Sequence, residues 1–100
     1  MTEEWGFTAQ LWRWEAAEPA AWFFLALPQD VSDDIEDLTG PRGGFGSVRV
    51  EVRVGGSTWR TSVFPDARRK TFVLPVKKAV RRKEDVEAGD TACFTLTVLD

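Results

Sequence analysis

A chain of 100 residues with 43% apolar residues, five Trp and seven Phe has the size and the bulky filling of one domain, here residues 1–100, with no room for two independent cores. It has no histidine and one cysteine, which removes Ser-His and Cys-His nucleophilic systems, histidine-based zinc sites and any intramolecular disulfide. The net charge of −3 conceals segregation: residues 1–40 hold nine acids and one base, residues 41–83 twelve bases and two acids, and residues 84–100 five acids.

Trp5, Phe7, Ala9 and Leu11 alternate with Gly6, Thr8, Gln10 and Trp12, the pattern of a strand with one apolar face that ends near Trp14. After a polar connection over residues 15–19, residues 21–27 are apolar on both sides, as in a strand covered on two faces, and Pro28 stops them. With Asp30 or Ser32 as N-cap, Val31, Ile35 and Leu38 then stand at helical spacing, with Asp33, Asp34, Glu36 and Asp37 on the solvent side and Gly40-Pro41 closing the helix. The glycine-rich stretch 40–46 leads into the clearest element of the chain.

Val48, Val50, Val52 and Val54 alternate with Ser47, Arg49, Glu51 and Arg53, and a two-residue Gly55-Gly56 loop follows. Such a loop predicts a hairpin pairing Val54 with Ser57, Val52 with Trp59, Val50 with Thr61 and Val48 with Val63, which puts Trp59 in the core and Glu51 opposite Arg60 on the outer face. Pro65-Asp66 opens a turn, Arg68, Arg69 and Lys70 make a basic loop, and residues 71–74 form a short fifth strand halted by Pro75. A second helix follows with Val76, Ala79 and Val80 inward and Lys77, Lys78, Arg81, Arg82 and Lys83 outward. Gly89-Asp90 turns the chain into a last strand that buries Ala92, Phe94, Leu96 and Val98 and leaves Cys93 on the side of its threonines.

Six short strands and two short helices in so small a domain predict a closed or partly closed six-stranded β-barrel, because closure removes exposed sheet edges. An open sheet with both helices on one face is the alternative. The runs 44–50, 59–66 and 74–81, with Gly89-Asp90 and upstream Phe7-Thr8-Ala9, Ala21-Trp22 and Leu27-Pro28, closely resemble the family of domain of unknown function 1905 over nearly the whole chain. The resemblance implies a compact bacterial β-barrel domain, found alone or joined to other small domains, with no activity to carry over. Thr71 and Phe72 depart from a frequent Gly and Tyr, and Glu84-Asp85-Val86 departs from a common Glu-Gly-Leu.

Chemistry-bearing patterns are few. Ser62 with Lys77 or Lys78 is a conceivable nucleophile and base, but the hairpin register makes Ser62 an outer-face residue opposite Arg49. Asp33-Asp34-Ile35-Glu36-Asp37 spells a magnesium-diphosphate string that belongs to large helical enzymes, and here reads as the solvated face of an acidic helix. The glycine-rich stretch enters a strand, where a phosphate-cradling loop would be followed by Lys, Ser or Thr and a helix. No catalytic residue, metal or cofactor is assigned. The basic middle block is either an anion or nucleic-acid footprint or the counterpart of two acidic ends folded against it, and the acidic total favours the second. Trp12 and Trp14, opposite the apolar face of the first strand, suggest either a covering helix, the preferred reading, or an interaction patch.

The expectation is a noncatalytic β-barrel domain that binds a small ligand or a protein partner, with Trp59, Arg60, Ser62, Lys77, Lys78 and Arg81 as the candidate site and no nucleic-acid binding. A nucleic-acid or anion binder through residues 41–83 and a Ser/Lys or carboxylate enzyme are the alternatives. Glu3 and Glu4 in place of a positive leader, an apolar run over 20–27 too short to span a bilayer, and the single cysteine together suggest a cytoplasmic location.

Overall fold

A computed structural model describes residues 4–14, 22–39 and 46–99. Seven strands and two helices follow in the order β1 (Glu4–Gln10), β2 (Trp12–Trp14), β3 (Trp22–Ala26), α1 (Gln29–Thr39), β4 (Val48–Val54), β5 (Ser57–Asp66), β6 (Thr71–Pro75), α2 (Lys78–Glu84) and β7 (Thr91–Val98). They form one curled antiparallel sheet in the order β1-β7-β4-β5-β6-β3-β2. Its two outermost strands, β1 and β2, are separated in the chain by Leu11 alone.

The seventh strand comes from splitting the first expected one. β1 pairs with β7 from Glu4↔Thr97 to Gln10↔Thr91, whereas Trp12 to Trp14 pair with Phe24 to Trp22 of β3. At Leu11 the chain changes partners: its N–H donates to the Asp90 carbonyl (2.9 Å) and its carbonyl accepts from the Gly89 N–H (2.8 Å). One bent strand thus serves both rims of a partial barrel, which limits the exposed edge as barrel closure does.

The β4–β5 hairpin has the expected register from Val54↔Ser57 to Val48↔Val63. Gly55 has φ +54°, and a Cβ there would run into the Glu84 carboxylate. Inside the curl, Val48, Val50, Val52 and Val63 are fully buried with Leu25, Leu74 and Leu96, and Trp59 is 7% exposed.

Several expectations are corrected. α1 begins at Gln29, before either expected cap: Ser32 N–H already bonds the Pro28 carbonyl (3.0 Å), and the Ser32 hydroxyl instead accepts the Phe72 N–H (3.2 Å). Its buried side is Val31, Ser32 and Ile35, so Leu38 turns outward and is 51% exposed. In α2 only Val80 is buried and Ala79 is exposed, because Val76 packs inward before the helix starts. β3 is covered on one face only: Leu25 is buried, while Trp22 is 50% exposed. The glycine-rich stretch lies outside the described residues up to Phe45, as do the Trp14 side chain and residues 15–21.

Candidate functional site

β6 ends at Pro75, and β5 pairs with it only over Phe64–Asp66. Beyond that point the chain leaves the sheet. Val76 donates its N–H to the Phe23 carbonyl of β3 (2.9 Å) and α2 swings over the gap, tied at its far end by the Ser57 hydroxyl donating to Glu84 Oε2 (2.6 Å). The gap is a cleft of about 450 Å³. Its apolar surface includes Trp22, Phe23 and Trp59, and around it stand Arg60, Lys77, Lys78 and Arg81.

Five of the six candidate residues therefore meet in one place. Trp59 and Arg60 come from β5, Lys77 from the turn before α2 and Lys78 and Arg81 from α2. Ser62 is not among the lining residues; it lies opposite Arg49, and no hydrogen bond joins its hydroxyl to either lysine among the described residues. Trp22 and Phe23 also line the cleft and were not in the candidate set. Their only sequence signal was an apolar run that reads as core, and the end of β6 at Pro75 leaves Trp22 and Phe23 open to the cleft.

The electrostatics of the cleft are one-sided. Arg60 Nε is 3.3 Å from Glu51 Oε1, the cross-strand pair expected from the register. Among the described residues, no carboxylate lies within ion-pair distance of Lys77, Lys78 or Arg81. Arg81 donates from Nε to the Val76 carbonyl (3.2 Å), and its guanidinium lies 3.6 Å from the centre of the Phe23 ring. Partial burial draws its pKa down from the ordinary value. A guanidinium nevertheless stays charged in proteins, so Arg81 is a partly desolvated cation held by a carbonyl and a ring.

On the outer face of the sheet a second groove of about 420 Å³ shares Trp22 with the cleft. Trp12, Phe24 and Trp22 form a row of rings with successive centroids 5.9 and 6.0 Å apart, and Arg69 lies 4.2 Å above the Trp12 ring. Phe64, Val73, Asp66 and Arg68 complete the lining, with no residue of either helix. Among the described residues, neither helix covers Trp12 as expected; α1 lies where Asp34 accepts the Trp5 indole N–H (3.2 Å). Asp66 organises this corner, accepting from the N–H groups of Arg68 (2.9 Å) and Arg69 (3.2 Å) and from Arg69 Nη1 (2.9 Å). Desolvation pushes the Asp66 pKa up, but hydrogen bonds from the Arg69 backbone and side chain and the Arg68 backbone, with the charge of Arg69, outweigh it and leave the carboxyl below its ordinary value.

Among the described residues, ion pairs form both between and within the charge blocks. Arg53–Glu4 (3.6 Å) joins the first acidic block to the basic one, whereas Arg60 and Arg69 pair with Glu51 and Asp66, the two acids inside the basic block. In the acidic string on α1, Asp33 accepts from Gln29 (3.0 Å) and Asp34 from the Trp5 indole N–H, and no group of three or more His, Cys, Asp or Glu placed to hold a metal ion occurs among the described residues. Among the described residues, no helix is long and apolar enough to cross a membrane.

A small curled β-sheet domain, with an aromatic cationic cleft where one strand leaves the sheet, is the class these observations define. The domain of unknown function DUF1905 matches residues 7–96, and the chain belongs to that family. No curated protein matches the chain.

Proposed function

We propose that this domain is a noncatalytic, cytoplasmic binding module whose cleft takes an organic anion, a carboxylate or phosphate carried on an apolar or aromatic body. The observation that carries the reading is Arg81, stacked on Phe23 and bonded to the Val76 carbonyl with no acid beside it among the described residues, next to Lys77 and Lys78. An anion there gains charge-assisted hydrogen bonds, and its apolar part leaves water against Trp22, Phe23 and Trp59. The noncatalytic part rests on the lack of histidine and on Ser62 standing outside the cleft, and the cytoplasmic part on the free, exposed Cys93. A nucleic-acid reading draws on the ring row beside Arg68, but the charge of Arg69 there is already met by Asp66.

Calorimetry with phenyl phosphate, phenol and inorganic phosphate tests the proposal. For a ligand of this size a binding free energy of about 4–6 kcal/mol is expected, a Kd on the order of 0.1–1 mM. Phenol and inorganic phosphate should each bind at least about tenfold more weakly, since each lacks one half of the recognition. Phenol binding as well as phenyl phosphate would sink the anion assignment, and absence of binding by all three would sink the cleft.

A further inference from the structure

One wall of the cleft is backbone. Phe72 of β6 donates its N–H to Ser32 and accepts the Leu27 N–H (2.9 Å), so its peptide groups face β3, and by strand alternation those of Thr71, Val73 and Pro75 face β5. Phe64 and Asp66 meet Val73 and Thr71 there. The next residue in that lane is Pro75, which has no N–H to give, and β6 ends. The same alternation turns the peptide groups of Arg60 and Thr58 toward the lane that β6 has left. The hairpin agrees: its closing pair Val54↔Ser57 faces inward between β4 and β5, so Thr58 and Arg60 face outward. No backbone partner meets these groups in that lane among the described residues.

We propose that the cleft takes its anion as part of an extended acidic peptide, which adds as a short strand to the open edge of β5 at Thr58 and Arg60. It sets a carboxylate against Lys77, Lys78 and Arg81 and rests an apolar side chain on Trp22, Phe23 and Trp59. The inference rests on the reading of the cleft as an anion site and names the ligand class. A small organic anion would satisfy the cations and the rings but leave the N–H and C=O groups of Thr58 and Arg60 to water, whereas a peptide main chain satisfies all three sets at once. An open edge that were only a hazard would carry its charge as protection, as Arg60 does, but would not need three further unpaired cations beside an aromatic floor. The acidic partner is the one these cations select.

The test is fluorescence polarisation with labelled pentapeptides that carry one Glu and one Phe at every spacing, alongside phenyl phosphate as competitor and a labelled deoxythymidine decamer. The best peptide should bind at least about tenfold more tightly than phenyl phosphate and be displaced by it, and N-methylation of the alternate amides that face β5 should cost about tenfold or more while methylation in the other phase costs little. Thr58→Pro, which removes an edge N–H that β4 does not use, should reproduce the peptide loss with phenyl phosphate binding kept, and amide exchange at Thr58 and Arg60 should slow in the wild-type complex. Phenyl phosphate binding with no tighter peptide, or peptides indifferent to N-methylation in either phase, overturns strand addition and leaves the anion cleft standing. Binding of neither overturns both. Salt-sensitive binding of the decamer tighter than any peptide overturns the peptide in favour of nucleic acid.

Discussion

Two arginines of this domain lie on aromatic rings, and their surroundings differ in one respect. Arg69 lies over Trp12 at 4.2 Å and pairs with Asp66 at 2.9 Å, while Arg81 lies over Phe23 at 3.6 Å and has a carbonyl in place of the acid. The first corner is closed upon itself: Asp66 spends its oxygens on two backbone N–H groups and the guanidinium, and so fixes the turn after β5. The second is left with positive charge over an apolar floor. The same residue type on the same kind of platform serves structure where its charge is balanced within the fold and is available to a ligand where it is not.

The largest expected effect tests whether the floor of the cleft is also core. Trp59→Ala should destabilise the domain by about 3–5 kcal/mol, read as a drop in thermal or urea midpoint, because Trp59 packs with Val50 and Val52. Trp12→Ala, on the outer groove, should cost about 1–2 kcal/mol since that ring is only half-buried. An equal loss in the two variants would erase the distinction between floor and shelf.

Exchanging each of the two arginines for glutamine separates the two corners. Arg81→Gln should weaken phenyl phosphate binding by about tenfold with a small change in midpoint, and Arg69→Gln should lower the unfolding free energy by about 1 kcal/mol with binding unchanged. The reverse pattern would assign the ligand to the outer groove. Asp66→Asn sharpens the same point through pH. The folded pKa of Asp66 is depressed, so its contribution is present above the ordinary carboxylate range and disappears as pH falls through the folded value. Denaturation of wild type and variant should differ by about 1 kcal/mol near neutrality and converge as the pH falls below the ordinary carboxylate range.

The smallest effect concerns the end of the helix that frames the cleft. Asp85 caps α2 with φ +54°, the left-handed conformation that glycine adopts without strain. Asp85→Gly should stabilise by about 0.5–1 kcal/mol in the same unfolding assay.

The hairpin was legible residue by residue because its information is local: period-two alternation and a two-residue glycine loop admit one register, and the pairing of Glu51 with Arg60 agrees with it. The helices were legible in place and in most of their inward side, with Val31, Ile35, Val76 and Val80 buried as their spacing predicts, but not at Leu38 and Ala79. Leu38 and Ala79 have the right spacing for burial, yet which stripe of a short helix turns inward depends on what it packs against, and β6 receives Val31, Ser32 and Ile35 of α1 instead.

Half of the cleft could be named from sequence, as basic residues flanking a tryptophan strand, but Ser62 was placed with them and Trp22 and Phe23 were not. Both differences between the candidate set and the cleft lining have one source: whether a strand residue lines a cleft depends on where its neighbouring strand stops, and that is not written in the strand itself. The β-rich class, the central hairpin and the concentration of cations in residues 41–83 follow from the sequence, because alternation, turn chemistry and charge count act over a few residues. The bend of the first strand at Leu11 to serve both rims, the opening of a cleft beside β5 where β6 ends, and the ring and carbonyl that Arg81 meets where Arg69 meets an acid come from the tertiary structure, since each depends on contacts between segments apart in the chain.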